Sequence, residues 1–279
     1  MKILVTGYRG QLGYDVVHEA KKRGIQAVGV DIDEMDITNV KQVNDVIRSG
    51  NYDAVIHCAA WTAVDKAEDM IDDCHKVNVE GTQNIADVCG DLNIPIMYFS
   101  TDYVFSGQGE EPWNEYDERQ PLNVYGQTKY EGELAVEKLP KHFIIRIAWV
   151  FGLNGNNFIK TMLKLGKEHG TVKVVNDQIG SPTYTFDLAK LVVDMIQTDK
   201  YGTYHATNEG ICSWYDFACE IFKQAELDVE VIPVTSDVFP AKAKRPSNSR
   251  MNKTELDKKG FHRLPTWQDA LSRYLKVIL

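Results

Sequence analysis

Long apolar runs are missing from this chain. No stretch of its 279 residues approaches the roughly 18 consecutive apolar residues that span a bilayer, which excludes a helical membrane anchor. Cysteine is scarce and odd in number: Cys58, Cys74, Cys89, Cys212 and Cys219, with no C-x-x-C pair. That argues against a disulfide framework, and the five read as reduced, mostly buried small hydrophobes of a cytosolic protein. Cations are in deficit, 31 Lys and Arg against 40 Asp and Glu, for a formal net charge of -9. A balance of that sign disfavours nucleic acid as the main partner. His57, His75, His169 and His205 lack metal-ligand spacing, so no metal site is assigned. Internal repeats, low-complexity tracts and flexible linkers are absent as well. The first strand pattern begins at Lys2, which leaves no room for a signal peptide and sets the expectation of a cytoplasmic protein.

What is present is an alternation of strand and helix patterns. Strands are expected at Lys2–Thr6, Ile25–Val30, Ala54–His57, Pro95–Ser100 and Phe143–Ala148. Between them lie helical patterns at Gln11–Arg23, Val40–Arg48, Asp69–Asp91 and Tyr125–Glu137, with a short turn around Val64–Glu68. Strands separated by helices of this length require parallel crossovers, so the first half reads as a doubly wound sheet. The second half is less regular. It offers helices at Asn156–His169, Thr185–Thr198 and Trp214–Ala225, the last after the N-cap candidate Ser213. A strand is expected at Val172–Val175, a polar loop at Ala241–Arg250, and a terminal helix at Pro265–Leu275 opened by Thr266 and Trp267.

The N-terminal stretch organises the rest. A buried strand runs into Gly7, Gly10 and Gly13 at three-residue spacing, and a helix begins at Gln11. A strand, a glycine-punctuated turn and a helix form the entry unit of a dinucleotide-binding fold. The first glycine permits a sharp turn, the second lets backbone approach a pyrophosphate, and the third lets helix pack on strand. The new N-terminus at Gln11 and Leu12 offers unpaired N–H groups to phosphate. Asp31 ends the second strand 24 residues after Gly7, where a carboxylate accepts both ribose hydroxyls of an adenosine. Arg9 could instead meet a 2′-phosphate, so NADH and NADPH both stay open. Asp36 and Ile37 begin the second helix, where Asp36 either holds an adenine amino group or caps the helix. Ala59, Ala60 and Thr62 follow the third strand, small enough for backbone to lie against a cofactor. Asn78, inside a helical pattern, either bridges backbone near the site or packs.

Tyr125 and Lys129 form Y-x-x-x-K and lie on one helix face. A nearby ammonium is expected to draw a phenol's ordinary pKa of about 10 downward, toward useful proton transfer. Thr101 stands 24 residues earlier, at the end of the fourth strand, so a hydroxyl and a phenol can converge on one substrate oxygen.

With these residues the whole chain resembles the extended short-chain dehydrogenase/reductases. Within them, segments 63–68, 100–105, 121–126, 156–158 and 245–250 resemble the dTDP-4-dehydrorhamnose reductase family. The resemblance implies Thr101, Tyr125 and Lys129 as the catalytic set, and a reduced nicotinamide held by the glycine turn, Asp31, Phe99, Tyr125 and Lys129. It implies a nucleotide-sugar substrate met by Thr101, Asp102 and Trp149; Arg245 and Arg250, in the polar loop, either meet its diphosphate, since anionic ligands suit arginine geometry, or are solvated. The expected architecture is therefore α/β, a Rossmann-type doubly wound parallel sheet with a smaller, mixed α/β substrate-binding lobe. Residues 1–150 would bind NAD(P), with 183–206 returning to that domain, and 151–182 with 207–279 would form the second lobe across a shared cleft. A homodimer is a further expectation. Two other readings stand beside the reductase: a nucleotide-sugar epimerase or dehydratase of the same fold, and a non-catalytic NADP-binding regulatory subunit. Thr101 is followed by Asp102 and Tyr103, so the Asp-Glu pair of a dehydratase is missing.

Overall fold

The computed structural model describes residues 1–279. Six strands form one parallel sheet: β1 (Lys2–Thr6), β2 (Gln26–Val30), β3 (Ala54–His57), β4 (Ile96–Thr101), β5 (His142–Ile147) and β6 (Gly202–His205). Their spatial order is β6-β5-β4-β3-β1-β2. Side chains alternate across a pleated strand, and both faces of this sheet are covered, so the central strands read as continuous apolar runs. Ile3, Val5, Ile56, Met97, Phe99 and Ile145 point to one face, beneath α1 (Gln11–Lys22). Leu4, Val55, Ile96, Tyr98 and Ile144 point to the other. There they meet α2 (Val40–Gly50), α3 (Gly81–Leu92) and α4 (Val124–Glu137). Each such aliphatic side chain taken fully from water contributes about 1.5–3 kcal/mol.

A second apolar cluster lies beyond the sheet. Phe151, Phe217, Ile221, Trp267, Leu271 and Tyr274 form its middle. It gathers α5 (Phe158–His169), α7 (Trp214–Gln224) and α8 (Trp267–Ile278) around the parallel strand pair Thr171–Val175 and Glu230–Val234. Helix α6 (Thr185–Met195) instead sends Leu188, Val192 and Val193 into the cluster under α1. Ser213 caps α7 through a reciprocal capping box with Asp216, and Thr266 caps α8 by accepting from Asp269 N.

Several elements differ from the sequence expectation. The run Asp69–Asp91 is not a uniform α-helix: a turn at Ile71–His75 passes into a wide π turn at Lys76–Glu80 before α3. A π turn displaces the ladder at one place. Here Thr82 Oγ1 donates to the Asn78 carbonyl at 2.7 Å, while the Asn78 side chain leaves the helix altogether. The second helix starts at Val40, where its periodicity places it, and Asp36 and Ile37 lie before it instead of beginning it. Asn39 caps it, and Asp36 folds back to accept from Thr38 N and Oγ1 at 2.9 and 2.8 Å, a turn that competes with helix. Strand Glu230–Val234 went unforeseen because Pro233 sits in a short, half-exposed run, a pattern that demotes a strand to an edge.

Candidate active site

Parallel strands release their chains at one edge, and in this sheet β1 is flanked by β2 on one side and β3 on the other. The chain reverses its direction of winding there, leaving a crevice at the carboxyl ends of the strands. A cavity of about 800 Å³ occupies that crevice. Residues following all of β1 to β5 reach it, as do Trp149, Val150, Gly155 and Asn156 from the start of the second apolar unit.

One end of the cavity is built of backbone. Gly7 has φ of 64°, and a Cβ there would stand 2.7 Å from Ala59 N. A Cβ on Gly13 would stand 2.3 Å from Gly7 O, so α1 rests directly on the turn. Gly10 caps α1 with no side chain to fill its first N–H groups. Those donors, with the positive end of the helix, have the chemistry to cradle a diphosphate. Gly7, Gly10, Gln11, Leu12 and Gly13 all line the wall. At the far end Asp31 accepts from Arg9 N at 3.1 Å and from Ile32 N at 2.9 Å. The Arg9 guanidinium pairs with Asp33 and Glu34. Asp36, Ile37, Ala59, Ala60 and Thr62 complete this half, joined by Ile32, Met35 and Val77, which the sequence reading did not name. These residues suit a dinucleotide: a capless helix end for phosphates, a carboxylate for ribose, and aliphatic walls for a base.

The other end gathers the polar chemistry. Thr101, Tyr125 and Lys129 come from β4 and α4 to the same cavity, which Phe99 and Asp102 also line. Asn123 aims α4 at it: its side chain caps the helix at Gly126 N, 2.8 Å, and its amide ties the same end to the Lys244 carbonyl. A Cβ on Gly126 would stand 2.3 Å from the Tyr103 carbonyl, so helix and β4 turn touch through backbone. The Tyr125 ring meets Tyr103 edge-on at 5.5 Å. Burial pushes the Tyr125 phenol up, and the neighbouring Thr101 hydroxyl partly offsets this. That corrects the expectation that Lys129 would draw it down. Burial instead depresses Lys129 itself to about 7, and its ammonium lies over the Tyr98 ring. Thr101 Oγ1 donates to Asp102 Oδ1 at 3.0 Å, and Ser249 Oγ donates to the other Asp102 oxygen. Burial lifts Asp102 to about 6 against those two hydroxyl donors.

Asn78 bridges rather than packs. It accepts from Trp61 N at 2.8 Å and donates to Trp61 O and Thr128 Oγ1, fastening the loop after β3 to α4. His57 is a structural link, bonded to Thr6 and Thr82 and held neutral by burial, which lowers it to about 3. Trp149 lines the cavity with a φ of 50°, a conformation that side chains rarely adopt. Its indole stacks on Trp214 at 3.8 Å, and Gly180 leaves room for that ring. Trp214, which no local motif marked, is thus tied to the site from 65 positions away. Arg245 does not reach the cavity wall. Its Nη2 donates to Asp65 Oδ2 at 2.7 Å, which supplies the anion that a ligand diphosphate was expected to provide.

The sequence profile of the family described as RmlD substrate binding domain matches residues 1–279. The chain belongs to that family. A curated relative, the dTDP-4-dehydrorhamnose reductase of Aggregatibacter actinomycetemcomitans, is 39% identical, with 97% of each chain covered. Among solved structures, a dTDP-4-dehydrorhamnose reductase from Clostridium acetobutylicum is 44% identical with a TM-score of 0.97, covering 100% of this chain and 99% of its own. Another from Bacillus anthracis, solved in complex with NADP, is 41% identical with a TM-score of 0.96, covering 99% of this chain and 100% of its own. The RmlD substrate binding domain match spans both the sheet and the second apolar unit, so the family likeness includes the whole cavity.

Proposed function

We propose that this protein reduces the C4 keto group of dTDP-4-dehydro-L-rhamnose with NADH or NADPH, giving dTDP-L-rhamnose. The observation that carries this reading is that Thr101, Tyr125 and Lys129 line the same cavity as the glycine turn and the N-terminus of α1. The names of the relatives point the same way. Gly7, Gly10, Gln11, Leu12 and Gly13 would hold the cofactor diphosphate, Asp31 the adenosine ribose, and Asp36, Ile37, Ala59, Ala60 and Thr62 its surroundings. When bound, the reduced nicotinamide supplies the hydride.

The chain's own work is on the oxygen. Tyr125 stays protonated at neutral pH, as a general acid for a ketone reduction must, and gives its proton to the developing alkoxide. Thr101 donates to the same oxygen, turning from Asp102 to do so. Both donors act where negative charge grows, so they favour the transition state over the bound ketone. Lys129 holds the nicotinamide ribose. Asp102 orients the Thr101 hydroxyl until the sugar arrives, Trp149 faces the sugar, and Arg245 steadies the Ala63–Glu68 segment through Asp65. The dehydratase reading needs an Asp-Glu pair beside Thr101, but Asp102 is followed by Tyr103.

The same reading gives the sheet with α1 and α6 to the cofactor and the second apolar unit to the sugar, the two meeting at Trp149. Five free thiols suit a cytoplasmic enzyme. A homodimer belongs to the proposal too; exposed Ile71 and Leu134, on packed helical segments, offer apolar surface for it, and sedimentation velocity decides it. The function is tested with purified protein, dTDP-4-dehydrorhamnose and each reduced cofactor, followed at the nicotinamide absorbance. Sugar-dependent oxidation of either cofactor is the expected result. No oxidation with either, at saturating sugar, returns the choice to an epimerase or a regulatory subunit.

A further inference from the structure

Lys129 is nearly sealed from solvent and its ammonium has no carboxylate of its own. The acid one turn further along its helix is Glu133. Arg146 occupies it twice at 2.8 Å and Arg119 once at 2.9 Å. Around the ammonium lie Glu133 on α4, His57 and Cys58 at and after the end of β3, Cys74 from the turn before α3, and Tyr98 on β4, with Tyr125 one helical turn before Lys129 and lining the same cavity. Of these, Tyr98 makes the close contact. Its ring centroid is 4.0 Å from Lys129 Nζ.

Tyr98 is itself held rigidly. It is fully buried in the sheet face that α4 covers. Its hydroxyl donates to the Lys129 carbonyl at 3.2 Å, so ring and hydroxyl grip the same residue from two sides. Gly132 leaves the notch in which that hydroxyl sits: a Cβ there would stand 2.3 Å from Tyr98 Oη. The arrangement is specific in sequence terms. An aromatic one position from Phe99 points to the opposite face of β4, directly beneath the i+4 partner of Tyr125.

We propose that Tyr98 is the positioning residue for Lys129, its ring face serving in place of a counter-ion to keep the ammonium charged and aimed into the cavity. The inference rests on the reductase reading only for the role given to Lys129. A desolvated cation on an aromatic face is stabilised by an amount that corresponds to a shift of about one pH unit or more. Burial lowers Lys129 to about 7, close enough to neutrality that the ring contact would shift the balance between its charged and neutral forms.

The test compares wild type with Tyr98→Phe, which keeps the face, and Tyr98→Leu, which removes it. Without cofactor or sugar, the reactivity of Lys129 toward acetic anhydride is followed against pH by peptide mass spectrometry. Tyr98→Phe should titrate within a few tenths of a unit of wild type, and Tyr98→Leu about one unit lower. In the reductase assay at pH 8, kcat for Tyr98→Leu should fall about tenfold and recover on lowering the pH by about one unit. A packing role alone would lower the melting temperature of Tyr98→Leu and leave both pH profiles in place; that outcome overturns the proposal. Tyr98→Met fills the notch without a π face and replaces the leucine variant should it fail to fold. The anhydride titration needs no sugar, so an inactive wild type would defeat the reductase reading while Tyr98 is still judged.

Discussion

Replacing Gly13 with alanine sets two effects of opposite sign against each other. Gly13 lies in the first turn of α1, where alanine is favoured over glycine by about 1 kcal/mol in a helix interior. Propensity alone therefore predicts a stabilised protein. The new Cβ, however, would stand 2.3 Å from Gly7 O, and also 2.8 Å from Gly7 C and Tyr8 Cα. All three are backbone atoms with no rotamer to escape into, and the turn must retreat by about 0.7 Å to restore a 3.0 Å contact. Overpacking of this kind costs about 1–3 kcal/mol. The retreat also strains the bond from Gly10 N to Gly7 O, 3.0 Å in the native turn, worth about 1 kcal/mol more. The clash wins, for a net loss of about 1–3 kcal/mol. With about 2.1 cal/mol/K of unfolding entropy per residue over 279 residues, that lowers Tm by about 2–5 °C. The displaced atoms are those proposed to cradle the diphosphate, so cofactor affinity should drop at least about fivefold, as a displaced hydrogen-bond donor costs about 1 kcal/mol or more. Differential scanning calorimetry gives the first quantity and quenching of protein fluorescence by NADH and NADPH gives the second. A raised Tm with undiminished binding of either cofactor refutes the packing argument and the cradle together.

Tyr125→Phe should lower kcat by more than about 10²-fold, the low end of general-acid contributions, with cofactor Kd unchanged; near wild-type turnover removes Tyr125 from its role. Glu133→Gln should destabilise by about 3–5 kcal/mol, because Arg146 is then left buried without its carboxylate. Glu133 is held below its ordinary value by Arg146 and Arg119, which outweigh its burial. Its contribution is therefore present above the unfolded value and lost as pH falls through the folded one, so the Tm gap between wild type and variant should close in acid. Equal gaps at neutral and acid pH would contradict this. Asp102 runs the other way, being raised to about 6 by burial. Wild type should lose stability relative to Asp102→Asn as pH rises from about 4 to 6, read as diverging melting temperatures; parallel curves would show that Asp102 is not so displaced.

Local pattern determined a large part of this protein. Hydrophobic runs at Lys2–Thr6 and Ala54–His57, glycines at 7, 10 and 13, and the Tyr125–Lys129 spacing each depend on neighbours within a few residues, and each is legible in one dimension. So are the caps Ser213 and Thr266, whose partners lie three residues on. Other features depend on partners far along the chain. The π turn at Lys76–Glu80 exists with Asn78 bound to Trp61 and Thr128. Arg245 is spent on Asp65, 180 positions away, and nothing in its own loop announces that pairing. Trp149 combines an unusual backbone with a ring stacked on Trp214, 65 positions away. The direction of the Tyr125 shift belongs to this second group. Adjacency on a helix places an ammonium near a phenol, but the sign of a pKa shift is set by how much water the fold removes, and only the closed packing of α4 on the sheet decides that.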